Sequence, residues 1–166
     1  MKYFLIASIS LLLCFNEAQA AAVKTTDPKA YSTSVSTAIV DVIKSDLSEE
    51  EKFKKLTSVF IDNVDTDFMG KFAMGRYFRT AKPDMQKKYL TLYRDYVMYS
   101  YVPKFKNYAN QTVEILAANK AKNDEYIVKS RLKPKGGEVK EILLDYRIKK
   151  NGSSFKIVDI IGEGVS

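Results

Sequence analysis

Histidine and tryptophan are absent from this chain of 166 residues, cysteine occurs once, and glycine and proline are scarce at 7 and 4. Without histidine there is no Ser-His-Asp or Cys-His nucleophile, no imidazole general base and no His-bearing zinc site. The lone Cys14 has no partner for an internal disulfide. Few Gly and Pro, with 46% hydrophobic and 28% charged residues, exclude a collagenous, low-complexity or disordered chain. The length fits one domain, and no internal repeat or linker divides it.

Long hydrophobic runs are also missing, apart from Tyr3–Phe15 behind Met1-Lys2. Asn16-Glu17 ends that run short of the ~20 residues a membrane-spanning helix needs, and Ala18-Gln19-Ala20 follows. Charged start, apolar middle and small-residue end make residues 1–20 a cleaved export signal, with processing after Ala20 or near Ala22. Bulky Leu13 argues against lipidation of Cys14, which leaves with the signal. Removal of Lys2 and Glu17 keeps the +7 formal charge of the whole chain. Outside the cytoplasm such a balance suits lipid head groups or an acidic protein surface, not nucleic acid.

The remaining sequence changes period once. Asp27-Pro28 is a helix start, with Tyr31, Val35, Ala38, Ile39 and Val42 at helical spacing behind it. Ser48-Glu49-Glu50-Glu51 reads as a capping box ahead of Phe53, Leu56, Val59 and Phe60. A third helix opens at Asp65 or Thr66 and carries Phe68, Met69, Phe72, Tyr77 and Phe78. The fourth starts at Lys82-Pro83 and runs to a kink or end at Pro103. After about Asn110 the period becomes 2, with inward sets Val113/Ile115/Ala117, Tyr126/Val128/Leu132, Ile142/Leu144/Tyr146/Ile148 and Phe155/Ile157/Ile161. Turn chemistry at Asn119–Asp124, Lys135-Gly136-Gly137 and Asn151-Gly152 separates them. The expectation is an α+β domain over residues 21–166, its helices on one face of a four-stranded antiparallel meander.

Candidate chemistry is thin. Asp62, Asp65 and Asp67 lack the glycine and distant glutamate of a calcium loop, and helix capping explains their positions. Gly162-Glu163-Gly164 is too short for a phosphate loop and no Lys-Ser/Thr follows it. The aromatic inventory, 11 Tyr and 9 Phe, says more. Many fall on the third and fourth helices, where phenols suit either a core or the mouth of a cavity with polar groups nearby.

Two stretches carry a family resemblance. Val64-Asp65-x-Asp67-Phe68-Met69-Gly70-x-Phe72-Ala73-Met74-Gly75-Arg76-Tyr77-Phe78-Arg79 resembles the signature helix of the MlaC-type periplasmic phospholipid-binding family, the toluene-tolerance auxiliary proteins. The ending from Phe155 through Asp159 to Gly162-Glu163-Gly164-Val165-Ser166 resembles that family's last strand. The resemblance spans roughly 25–166, with Phe78 and Phe155 where the family often has tryptophan. The chain stops at Ser166, whereas members usually continue into a C-terminal helix, so that helix is expected to be lacking.

The resemblance implies a strongly twisted, nuclear-transport-factor-like sheet and a phospholipid held between sheet and helices. It implies no enzyme activity, metal or cofactor. The partners it implies are an inner-membrane ABC transporter complex and an outer-membrane lipoprotein complex that maintain outer-membrane lipid asymmetry, with a monomeric carrier between them. Helical and strand phase then offer one wall of Phe72, Tyr77, Phe78, Tyr93, Val97, Tyr101 and Phe105, and a sheet wall of Ile115, Val128, Leu144, Tyr146 and Ile157. Lys87, Lys88, Arg94, Lys104 and Lys106 are candidates for phosphate or an acidic docking surface. A small enzyme using carboxylates and tyrosines, and an interaction module with no cavity, are the competing expectations.

Overall fold

The computed structural model describes residues 25–108, 111–134 and 141–162, so the expected export signal over 1–20, Cys14, the turn expected at Lys135-Gly136-Gly137 and residues 163–166 lie outside it. Helix α1 spans Pro28–Lys44, α2 Glu49–Asn63, α3 Thr66–Met74, α4 Arg76–Thr80 and α5 Pro83–Tyr101. A 3-10 helix at Val102–Tyr108 leads to the strands β1 Gln111–Lys120, β2 Glu125–Pro134, β3 Ile142–Asn151 and β4 Ser154–Gly162. The four strands form one antiparallel sheet in sequence order, an α+β meander with the expected order of elements.

Local chemistry sets the helix ends. The Asp27 carboxylate accepts the Lys29 N–H at 2.8 Å and Pro28 occupies the first turn. At α2 the Ser48 hydroxyl accepts the Glu51 N–H at 3.3 Å, while Glu51 accepts the Ser48 N–H at 3.0 Å, the reciprocal capping box. Asp65 caps α3 by accepting the Phe68 N–H at 2.9 Å. The single third helix expected through Phe78 is two, because Gly75 sits at φ 57°, ψ −129° and breaks the ladder. Only glycine adopts that backbone without strain.

The inner sheet face follows the predicted alternation except at two bulges. One between Ile115 and Ala117 puts Ala118, not Ala117, against the core. The other, opposite Arg147/Ile148, brings in Ile160 where Ile161 was expected. An extra residue reverses the side-chain phase beyond it, and simple alternation carries no sign of that. The turn after β1 is as expected, with Asn123 and Asp124 both at positive φ and the Glu125 N–H donating to the Lys122 carbonyl at 3.2 Å.

Helix α1 lies across the inner face. Fully buried Tyr31 ties the layers together: its hydroxyl donates to the Asn63 carbonyl at the end of α2 at 3.1 Å, and its ring meets Phe155 on β4 at 5.6 Å. Tyr126 approaches Phe155 edge-on at 5.7 Å. The core extends through Val35, Phe60, Val97, Val128, Ile148 and Ile157. The α2–α3 junction closes the outer edge of β4, where the Asp65 N–H donates to the Ile157 carbonyl at 2.8 Å. The opposite sheet face is polar. There Arg131 bridges Glu114 and Glu141 at 2.9 and 3.0 Å, and Lys133 reaches Glu114 at 2.7 Å.

Candidate functional site

Among the described residues, openings lie on both flanks of α1. The larger, about 290 Å³, lies between the C-terminal end of α1, the start of α2 and the 3-10 helix. Its lining includes Ile43, Phe53, Leu56 and Val102, with Glu49, Lys52, Pro103 and Lys106 completing it. Ile43, Leu56 and Val102 are buried members of the main hydrophobic cluster, so this cleft opens directly onto the core. The smaller, about 140 Å³, lies between α1 and β1 and mixes Thr33, Ser36, Thr37 and Lys44 with Val40 and Val113.

Size and polarity separate the two. With a methylene taken as comparable to water's share of liquid volume, about 30 Å³, the larger cleft accommodates roughly ten methylenes, part of one acyl chain. Its greasy floor and two lysines match an amphiphile carrying negative charge. The paired Lys52–Glu49 contact is long, at 3.9 Å, and offers an incoming anion a cation that is only loosely held.

Beside the smaller opening, which Ser36 helps to line, the interior holds a small polar island. The Tyr146 phenol sits beside the Ser36 and Ser130 hydroxyls, and burial pushes its pKa up against the opposing pull of those hydrogen bonds. Ser130 also donates to the Leu144 carbonyl across the β2–β3 pair. Tyr31 and Tyr93 are likewise pushed up by burial. These phenols stay neutral at physiological pH, as apolar packing requires.

The residues picked by phase are not gathered at either opening. Val97, Val128 and Ile157 are buried in the core cluster; Tyr93, Phe105, Ile115 and Tyr146 pack against it. Phe78 and Leu144 are partly buried, whereas Phe72, Tyr77 and Tyr101 are exposed. Periodicity identifies a face without saying whether that face is packed or hollow. Phe53 and Leu56 do stand on the apolar face that spacing marks for α2. Ile43, Val102 and Pro103 come from helix ends, where periodic patterns stop being informative.

Of the candidate polar groups, Asp65 is a cap, and Asp67 pairs with Arg94 at 3.0 Å. Asp62 accepts a 3.4 Å hydrogen bond from Ser58. Among the described residues no group of three His, Cys, Asp or Glu is placed to hold a metal ion. Nor is any described helix long and apolar enough to cross a membrane. Lys104 lies over the Tyr101 ring at 5.2 Å, Lys87 and Lys88 are exposed, and Lys106 stands at the larger cleft.

A family model described as MlaC protein matches residues 33–166. No curated protein matches the chain. Among solved structures, the chain is similar to a phospholipid-binding protein from Ralstonia solanacearum, determined in complex with a phospholipid. The two are 23% identical, with a TM-score of 0.71 over 83% of this chain and 79% of that one, a likeness of fold.

Proposed function

The chain belongs to the MlaC family, and on that premise we propose that it binds phospholipid non-covalently and carries it across the periplasm. The route runs between an outer-membrane lipoprotein complex and an inner-membrane ABC transporter, after export through residues 1–20. The observation that carries the reading is the cleft whose floor of Ile43, Leu56 and Val102 is continuous with the core and whose lining holds Lys52 and Lys106. An acyl tail enters over Phe53, and the phosphate stays with the lysines.

Exposing two acyl chains of about 30 methylenes to water costs roughly 24 kcal/mol at ~0.8 kcal/mol each. A carrier must replace most of that apolar contact. The cleft shelters only part of one chain, so a complete lipid requires α1, α2 and the 3-10 helix to separate from the sheet. Val97, Val128, Tyr146 and Ile157, picked from phase, then become the deeper wall. The same arithmetic means that release needs a partner offering a continuous apolar path.

Support also comes from the phospholipid bound by the Ralstonia structure of the same fold.

Mass spectrometry of gently purified protein tests the reading. Phospholipid is expected to accompany the chain. Protein that is repeatedly lipid-free and takes up none from liposomes overturns it.

A further inference from the structure

Charge and apolar exposure are concentrated together in one part of the chain. Residues 70–106 contain nine Lys and Arg against only Asp84 and Asp95, a balance of +7 that equals the formal charge of the entire protein. The same span contains most of the large hydrophobic side chains that face solvent. On α5, Met85, Leu92, Tyr96 and Tyr99 are 55%, 56%, 65% and 72% exposed. Their spacing of seven, four and three residues puts them on one helix face, and Lys82 and Lys88 fall on that face by the same count.

The opposite face of α5 is already used. Leu90 and Tyr93 pack on Gly70 of α3, the Tyr89 hydroxyl donates to the Gly70 carbonyl at 3.1 Å, and Arg94 pairs with Asp67. The exposed stripe is therefore a second apolar face on a helix whose first face is packed. At the start of α5, α4 adds exposed Tyr77, with the Arg76 guanidinium 5.0 Å over its ring, and exposed Arg79. On the sheet, Arg131, Lys133 and Arg147 are matched by Glu114, Glu141 and Glu125. Lys82, Lys87 and Lys88 form no ion pair among the described residues.

We infer that the outer face of α5, with α4 at its start, is a peripheral docking surface for an anionic phospholipid bilayer. Tyrosine rings and a methionine–leucine stripe reach into the head-group boundary, and unpaired lysines meet lipid phosphates. The base composition selects a bilayer over a protein partner. Four of the six bases at Lys71–Lys88 are lysine, a residue depleted from protein–protein interfaces but well suited to a diffuse anionic plane. Its C-terminal end touches the α1–α2 cleft, where the Tyr99 ring stacks on Phe53 at 5.8 Å, but Met85, Leu92, Tyr96, Lys82 and Lys88 are not part of that cleft's lining.

Co-sedimentation of the purified chain with phosphatidylcholine vesicles, with and without phosphatidylglycerol, tests it. Binding is expected only to the anionic vesicles and is expected to fall as salt rises. The double variant Lys82→Glu/Lys88→Glu should bind at least about tenfold more weakly, and Leu92→Ser/Tyr96→Ser several-fold more weakly. Both change exposed positions, and parent and variants share one N-terminal segment, so the difference reports α5. Equal binding to both vesicle types, or variants that bind like the parent, overturns the inference. So does a parent that ignores vesicles but is held by an acidic protein through these lysines. Phospholipid retained by the same preparations reports the cleft independently, so a failure there leaves the vesicle result intact.

Discussion

The inner face of the sheet with α1 and α2, and the α3–α5 hairpin, draw on the same kinds of residue and dispose of them in opposite ways. In the first region aromatic groups are buried and satisfied: Tyr31 is fully enclosed, donates to the Asn63 carbonyl and packs on Phe155. In the second, Phe72, Tyr77 and Tyr96 are exposed, beside Lys82, Lys87 and Lys88, which form no ion pair among the described residues. The contrast teaches that hydrophobic content alone does not report stability. One region uses it to hold the fold, and the other has apolar surface available for something outside the chain.

The sharpest test of that division is Tyr31→Ala, which should cost about 3–5 kcal/mol in urea unfolding, as large-to-small changes of buried aromatics do. A cost under 1 kcal/mol would break the comparison at its strongest point. Next is Gly70→Val, where even a Cβ would come within 3.0 Å of Leu90 and 3.1 Å of Tyr93. Overpacking the α3–α5 contact is expected to cost about 1–3 kcal/mol, showing that the hairpin has its own packed seam. Asp65→Ala should cost about 1 kcal/mol through loss of the α3 cap.

The smaller effects concern surface groups. Ser48→Ala should move the Glu51 carboxyl part of the way back toward its usual pKa, followed by NMR titration, since the Ser48 hydroxyl is the largest cause lowering it and the backbone N–H at that position remains. A depressed folded-state pKa contributes stability above the unfolded value that is lost as pH falls through the folded one. The parent's excess stability over Ser48→Ala should therefore narrow under acid. Leu92→Ala, on the exposed stripe, should change stability by no more than about 0.5 kcal/mol. A larger loss would make that stripe part of the core after all.

The architecture was legible because local signals were strong. Asp27-Pro28, the Ser48–Glu51 capping box and the Asn123-Asp124 turn each fix a boundary through short-range hydrogen bonds. The misplaced inward residues, Ala117 for Ala118 and Ile161 for Ile160, follow from bulges set by strand pairing across the sheet. Gly75 was visible as a glycine, but its break of the helix depends on a backbone conformation that composition does not state. The cleft was the least legible feature. Ile43, Val102 and Lys106 come together from segments about 60 residues apart in sequence, and only the tertiary fold makes them neighbours.

The central claim is that acyl chains lie between the sheet and the α1–α2 layer, and it is tested most directly by photo-crosslinking. A phospholipid with a diazirine near the end of one acyl chain is bound to the protein, activated, and its sites of attachment are read by peptide mass spectrometry. Attachment is expected on Phe53, Leu56, Val102 and the inner-face residues behind them. Attachment confined to Met85, Leu92 and Tyr96 on the outside of α5, or none at saturating lipid, would contradict the account.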